Sequence, residues 1–149
     1  MNQVISFDLH DTILVFRANN KFKNIKFFRV ILYFLSNFKS FVFVYTYFCQ
    51  RNEAAIRLMK NSKIEGNKNI ILTSTNQRCA KVINYFLKKN NIGSYNEIIF
   101  RKSFWQKESG YKIEEMKKNN IILHYDDGIE VCAEINKIKN NSCVVVSQQ

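Results

Sequence analysis

Hydrophobic positions along this chain fall into short runs, separated by polar stretches and by segments with a helical spacing of apolar residues. From residue 69 onward the two patterns alternate, which is typical of a parallel sheet with helices on both faces. The predicted strands are 4–7, 69–72, 97–100, 120–125 and 142–146, and the predicted helices are 53–61, 77–89, 111–118 and 130–139. The hydrophobic pattern therefore predicts an α/β fold.

The first predicted strand carries an aspartate at its tip. Residues 4–7 are apolar apart from the small Ser6, Asp8 follows, and the residues after Asp8 are mainly polar. Open α/β sheets bind their ligands outside the carboxyl ends of the strands. A carboxylate in this position indicates a functional site, and the alternative is an Asp-rich turn after an edge strand.

Two later strands also end in side chains that carry oxygen. Thr73 and Ser74 follow the second strand, and Asp126 and Asp127 end the fourth. Parallel strands bring their carboxyl ends to one edge, where clustered carboxylates repel each other and need a cation. Hard oxygen ligands favour Mg²⁺, which proteins hold through one or two carboxylates and a substrate phosphate. The pattern predicts a site for Mg²⁺ and phosphate.

Four motifs in this order carry a resemblance to a known family. They are Asp8 to Thr12, Ile70 to Ser74, Lys112 near the start of a helix, and Ile121 to Asp127. Their order and strand context resemble the haloacid dehalogenase-like (HAD) superfamily over residues 3–16 and 68–147. The resemblance implies one domain over residues 1–149, with a Rossmann-like three-layer sandwich, a central parallel five-stranded sheet of order 3-2-1-4-5, and a small helical cap insert.

The resemblance also implies an activity, that of a Mg²⁺-dependent phosphatase. Asp8 would be the nucleophile and would form an aspartyl-phosphate. Thr73 would donate a hydrogen bond to the phosphoryl group. Lys112 would neutralise charge on Asp8 and on the phosphate, and Lys107 is the alternative lysine.

The metal ligands implied by the resemblance come from the first and fourth motifs. Mg²⁺ would be held by the Asp8 carboxylate, the main-chain carbonyl of His10, and Asp126. Asp127 and Glu130 would support the metal. Most of these groups are carboxylates, so the set suits a hard divalent cation.

One position departs from the family pattern. Phosphatases of the superfamily usually carry a second aspartate two residues after the nucleophile, as general acid and base, and this chain has His10 there. An imidazole titrates near neutral pH and can protonate a leaving alcohol. Asp11 is a second candidate acid. The alternative function is a catalytically impaired module that binds phosphate or nucleic acid.

An apolar and basic insert, residues 17–66, separates the first two motifs where the superfamily places its cap. The length of its segment 27–48 is close to that of a membrane span, but Lys39 and the Ser36–Asn37 pair interrupt it. We expect two shorter elements that break near residues 37–40. They could form a helical hairpin over the sheet or a surface for self-association, and a peripheral membrane contact is the third alternative.

The net charge of +11 favours phosphate-bearing partners. The excess is uneven, because residues 1–100 hold 15 Lys/Arg against 5 Asp/Glu, and residues 101–149 hold 8 against 7. A phosphorylated small molecule or a nucleic-acid end would suit this surface. The chain is also rich in Lys, Asn and Ile and has no proline, so genome composition is a competing explanation.

The four cysteines show neither CxxC spacing nor a zinc-ligand pattern. Cys132 and Cys143 lie in apolar surroundings and are predicted to be small core residues. We expect no disulfide partner and a reducing, cytoplasmic location. Residues 1–8 already lead into the first strand, so we expect no signal peptide.

Overall fold

A parallel five-stranded sheet forms the centre of this protein in a computed structural model, which describes residues 3–16, 31, 34–103 and 105–146. The strands are β1 (Val4–Phe7), β2 (Leu14–Phe16), β3 (Cys49–Arg51), β4 (Lys68–Asn76), β5 (Glu97–Arg101), β6 (Leu123–Asp126) and β7 (Ser142–Val145). The helices are α1 (Lys39–Tyr47), α2 (Glu53–Ile64), α3 (Ala80–Lys89), α4 (Glu108–Lys118) and α5 (Ile129–Asn136). The sheet order is β5-β4-β1-β6-β7, which confirms the predicted order 3-2-1-4-5.

The sheet buries apolar side chains on both faces, because successive residues of a strand point to opposite sides. On β4, Ile71 joins a core with residues of α2 and α3, whereas Ile70 and Leu72 join a second core with residues of α4 and α5. Each fully buried aliphatic side chain contributes roughly 1.5–3 kcal/mol. The two cores confirm the three-layer α/β architecture.

Asparagines mark several helix boundaries. The Asn52 side chain accepts hydrogen bonds from the first backbone amides of α2, as an N-cap. After α4 the chain passes through Asn120 at φ 52°, a left-handed conformation that asparagine tolerates. The Ile121 amide then donates to the Met116 carbonyl. This turn delays β6 to Leu123, so the strand predicted from residue 120 begins later than expected.

The described part of the insert contains α1, β3 and α2. β3 pairs with β2 in a separate antiparallel ladder that was not predicted from the sequence. The chain turns at Ser36–Asn37 before α1 begins, which confirms the predicted break in the apolar segment. Residues 17–30 and 32–33 lie outside the described residues, so the predicted helical hairpin and the cap role of 17–66 stay predictions. No helix among the described residues is long and apolar enough to cross a membrane.

A buried arginine fixes the insert to the carboxyl edge of the sheet. Arg101 ends β5, is fully buried, and donates to Ser36 Oγ at 3.2 Å and to Asn37 Oδ1 at 3.3 Å. Asn76, at the end of β4, donates to the same Asn37 oxygen at 3.1 Å. The turn that precedes α1 is therefore attached to two strand ends.

Cys132 and Cys143 form a disulfide that joins α5 to β7. Both residues are buried in the second core, as predicted, but the expectation that the chain has no disulfide partner is wrong. The pairing follows from the return of β7 beside α5 after the turn at Asn140, which has φ 72°. The two cysteines are 11 positions apart in the sequence, and no spacing pattern predicts the contact.

Candidate active site

Asp8 and Asp126 meet where two neighbouring strands end. β1 and β6 are paired with Phe7 opposite Tyr125, and the Asp8 amide donates to the Tyr125 carbonyl at 2.8 Å. Lys112 Nζ lies between the two carboxylates, 2.8 Å from Asp8 Oδ1 and 2.6 Å from Asp126 Oδ2. All three side chains are buried. The structure thus brings together the predicted aspartates and the predicted lysine.

The positions of the two candidate lysines at α4 show that Lys112, and not Lys107, contacts the aspartates. Lys107 is the exposed N-cap residue of α4, whereas Lys112 lies on the buried face of the helix. Lys112 Nζ is also 3.1 Å from Glu108 Oε1, one helical turn earlier, and Ser74 Oγ donates to that oxygen at 2.7 Å. Glu108 was not predicted as a site residue, although its i,i+4 spacing from Lys112 was visible in the sequence.

A buried chain of hydrogen bonds links Asp126 to His124 and Ser6. His124 Nε2 lies 2.9 Å from Asp126 Oδ2, and His124 Nδ1 lies 2.8 Å from Ser6 Oγ. Burial lowers the pKa of His124, so the ring is neutral. Because Nε2 is the nitrogen that faces the Asp126 carboxylate, it carries the proton of the neutral ring. Nδ1 then accepts a hydrogen bond from the Ser6 hydroxyl. The Gly128 amide donates to the other oxygen, Oδ1, at 2.8 Å.

Asp127 completes a group of three carboxylates. One oxygen each of Asp8, Asp126 and Asp127 lies within 4.8 Å of the others. Hard carboxylate oxygens that converge in this way suit Mg²⁺, which prefers oxygen ligands and keeps several positions for water or phosphate. The donor set therefore fits the divalent cation predicted from the sequence. The carbonyl of His10 stays a predicted ligand.

The site holds more negative than positive charge, and the titration behaviour reflects this. Burial raises the pKa of Asp8, an effect that Lys112 opposes and Asp126 reinforces. Burial together with Asp11 and Asp126 raises the pKa of Asp127 to about 7. Burial acts against ionisation of Asp126 as well, but Lys112 and His124 outweigh it and hold the pKa of Asp126 below its usual range.

Lys112 stays protonated for a related reason. Burial alone would lower the pKa of its ammonium group, but Asp126, Asp8 and Glu108 outweigh burial and raise it. A single ammonium group thus faces several carboxylates in a desolvated pocket. Additional positive charge would let all of these carboxylates ionise together.

Thr73 lies within β4, whereas the sequence predicted that this strand ends at residue 72. β4 continues through Thr73 to Asn76, and Thr73 Oγ1 accepts a hydrogen bond from the Thr75 amide at 3.2 Å. Among the described residues, the hydroxyl of this motif that reaches the Lys112 group is that of Ser74, through Glu108. Thr73 as the phosphoryl ligand stays a prediction.

The two candidate acids both contact α1. The His10 ring lies 3.3 Å from Thr46 Oγ1 through Nε2 and 3.3 Å from Thr75 Oγ1 through Nδ1. Asp11 has φ 64°, and its carboxylate accepts from the Tyr45 hydroxyl at 3.1 Å and from the Phe16 amide at 3.3 Å. The insert therefore holds the loop that follows Asp8. Glu130, the other predicted support for the metal, is exposed in the first turn of α5.

Solved structures with a similar fold include hydrolases. A chain of the Pnkp1/Rnl/Hen1 RNA repair complex matches with a TM-score of 0.72 and 16% identity, over 97% of this chain and 42% of that one. A HAD-superfamily hydrolase from Ehrlichia chaffeensis matches with a TM-score of 0.55 and 13% identity, over 97% and 87% of the two chains. A HAD-family enzyme from Bacteroides thetaiotaomicron, in complex with magnesium and inorganic phosphate, matches with a TM-score of 0.58 and 13% identity, over 99% and 95%.

The chain has the fold of HAD-superfamily hydrolases. No family model matches the sequence, and no curated protein matches it. The chain spans less than half the length of the repair-complex chain that it resembles. The likeness at these identities concerns the HAD fold, and the chemistry has to be argued from the side chains of this chain.

Proposed function

We propose that this protein is a Mg²⁺-dependent phosphatase of the HAD superfamily, in which Asp8 is the nucleophile. The observation that carries the proposal is the buried group around Lys112, whose ammonium lies within 2.8 Å of both Asp8 and Asp126. A buried lysine between two strand-end aspartates serves no packing purpose that an apolar residue would not serve better. The arrangement suits a site that binds and transfers a phosphoryl group.

The reaction would proceed in two steps at the Asp8 carboxylate. An oxygen of Asp8 attacks phosphorus, the bond from phosphorus to the ester oxygen breaks, and the leaving alcohol takes a proton. Water then attacks phosphorus, the bond between phosphorus and the Asp8 oxygen breaks, and inorganic phosphate leaves. Lys112 holds Asp8 in position and offsets charge on the phosphoryl oxygens.

A bound Mg²⁺ would supply charge neutralisation at the phosphoryl group. Asp8, Asp126 and Asp127 are the residues that would hold it, since their carboxylate oxygens converge. His124 and the Gly128 amide fix the Asp126 carboxylate from two sides, which preserves its orientation in a changing charge environment.

His10 is the first candidate for the acid that protonates the leaving alcohol, and Asp11 is the second. His10 is only partly buried and lies two residues after Asp8. His10→Ala should therefore reduce hydrolysis of esters with poor leaving groups more than hydrolysis of p-nitrophenyl phosphate, whose leaving group needs little protonation.

The test of the proposal is hydrolysis of p-nitrophenyl phosphate and of a panel of phosphate esters, with Mg²⁺ and with EDTA. We expect Mg²⁺-dependent turnover that falls by about 1,000-fold or more in Asp8→Asn. Glu114→Gln, which removes an exposed carboxylate from α4, is the matched control and should keep full activity. Turnover that survives Asp8→Asn would rule out Asp8 as the nucleophile.

A second candidate function is a catalytically impaired module that binds phosphate or nucleic acid. The contacts of His10 with Thr46 and Thr75 favour it, because they hold the ring beside α1. This alternative predicts binding of inorganic phosphate in the presence of Mg²⁺ and no turnover of any ester in the panel. Isothermal titration with inorganic phosphate, run beside the hydrolysis assays, separates the two functions.

A further inference from the structure

An exposed aromatic surface lies on α1, on the residue that follows it, and on α3. Its rings are Phe43, Tyr47, Phe48 and Tyr85, with exposed fractions of 46%, 58%, 56% and 55%. Phe43 packs against the buried ring of Phe86 at 5.4 Å, which joins the two helices. Large exposed aromatic side chains that cluster in this way mark a site of interaction.

The two segments that carry these rings are basic. Residues 39–48 and 77–89 contain five Lys and Arg residues and no Asp or Glu. Lys89 Nζ lies 5.2 Å from the centre of the Tyr47 ring, and Lys88 is exposed beside it. We call Phe43, Tyr47, Phe48, Tyr85, Lys88 and Lys89 the α1–α3 surface. Its charge complements a polyanion, and its flat rings offer faces on which bases stack.

α1 connects the α1–α3 surface to the loop that follows Asp8. Thr46, which neighbours Tyr47, contacts His10 at 3.3 Å, and Tyr45 donates to Asp11 at 3.1 Å. The buried side of α1 therefore touches the loop after Asp8, while its exposed side carries the rings.

We propose that the α1–α3 surface binds single-stranded nucleic acid and presents its terminal phosphate to Asp8. Bases stack on Tyr47 and Tyr85, and Lys88 and Lys89 contact backbone phosphates. The proposed binding of nucleic acid does not depend on the proposed phosphatase function, whereas the removal of the terminal phosphate rests on it. The proposal narrows the substrate to a phosphorylated end of a single strand.

Fluorescence anisotropy with labelled 12-nucleotide oligouridine and oligothymidine, both ending in hydroxyl groups, tests the surface without any chemistry at Asp8. We expect Tyr47→Ala to weaken binding about tenfold and Tyr47→Phe to restore it, since the stacking face returns. Lys88→Gln with Lys89→Gln should reduce the slope of log K against log salt by about 1.4. Lys117→Gln with Lys118→Gln, an exposed pair at the far end of α4, should leave the slope unchanged.

Activity assays connect the surface to the reaction. The Lys88 and Lys89 substitutions should lower kcat/KM about tenfold on an oligonucleotide with a terminal phosphate and leave p-nitrophenyl phosphate turnover unchanged. Strand binding that depends on the surface, with no phosphatase activity on any substrate, would support the surface and refute the function of Asp8.

Three results would overturn the inference itself. The first is oligonucleotide binding that is absent or insensitive to all of these substitutions. The second is flotation with anionic phospholipid vesicles that Tyr47→Ala abolishes, in a protein that binds no oligonucleotide. The third is a dimer that Tyr47→Ala converts to a monomer, again without oligonucleotide binding.

Discussion

Replacement of Lys112 by methionine tests whether the buried ammonium holds the candidate site together. The substitution keeps the length of the side chain and removes its charge. Lys112 Nζ lies 2.8 Å from Asp8 and 2.6 Å from Asp126, and all three groups are buried. Without the ammonium, two desolvated carboxylates face each other with no cation between them.

The expected cost follows from these distances. At an effective dielectric constant of about 20, each of the two contacts represents about 6 kcal/mol of Coulomb attraction. Desolvation of the lysine offsets much of this attraction, and loss of one partner from a buried ion pair typically costs about 3–5 kcal/mol. We expect Lys112→Met to lose about 3–5 kcal/mol of unfolding free energy at pH 7 in EDTA.

Urea unfolding of the wild type and Lys112→Met measures this difference, with Lys107→Met as the matched control. Lys107 is exposed on the same helix, so its replacement should change stability by less than about 0.5 kcal/mol. The deficit of Lys112→Met should shrink near pH 4, because in the variant no ammonium lowers the pKa of Asp126, so burial favours the protonated forms of both Asp8 and Asp126. A loss below about 1 kcal/mol at pH 7 would refute the role assigned to Lys112.

Three further predictions concern other parts of the molecule. Arg101→Met removes the hydrogen bonds to Ser36 and Asn37, so limited proteolysis should cut the insert faster while the sheet stays protected. Reduction of the disulfide should cost about 3 kcal/mol, and thiol titration of the unreduced, denatured protein should count two cysteines rather than four. The apparent affinity for Mg²⁺ should rise as the pH increases through about 7, since Asp127 must lose its proton to bind the ion, and Asp127→Asn should flatten this dependence.

The strand-end aspartates were predictable because their signal is local. An apolar run that stops at a carboxylate places Asp8 or Asp126 at the edge of a parallel sheet, whatever the rest of the chain does. The identity of the lysine came from the resemblance to the HAD superfamily, and the buried face of α4 supplies its physical reason. The pairing order of the strands likewise followed from the resemblance and from the position of the predicted site at a switch point of the sheet.

Several supporting residues were not predicted, because their roles depend on which face of a strand or helix each side chain points to. Ser74 rather than Thr73 reaches the Lys112 group, since adjacent residues of a strand point to opposite faces. β3 was not predicted because Cys49–Arg51 is short and largely polar. The disulfide was not predicted because it depends on how β7 returns beside α5 in the folded chain.

Ser6 and His124 have no exposed surface, yet their hydrogen bonds influence how the Asp126 carboxylate of the candidate site is oriented. A substitution at either position would therefore alter the proposed reaction without replacing any of the three carboxylates proposed to hold the metal. A screen for variants that lose the proposed activity should therefore find substitutions at buried positions of β1 and β6 as often as at the three carboxylates. A design that copied only Asp8, Asp126 and Asp127 into another protein would lack the hydrogen bonds from His124 and Ser6 that orient Asp126.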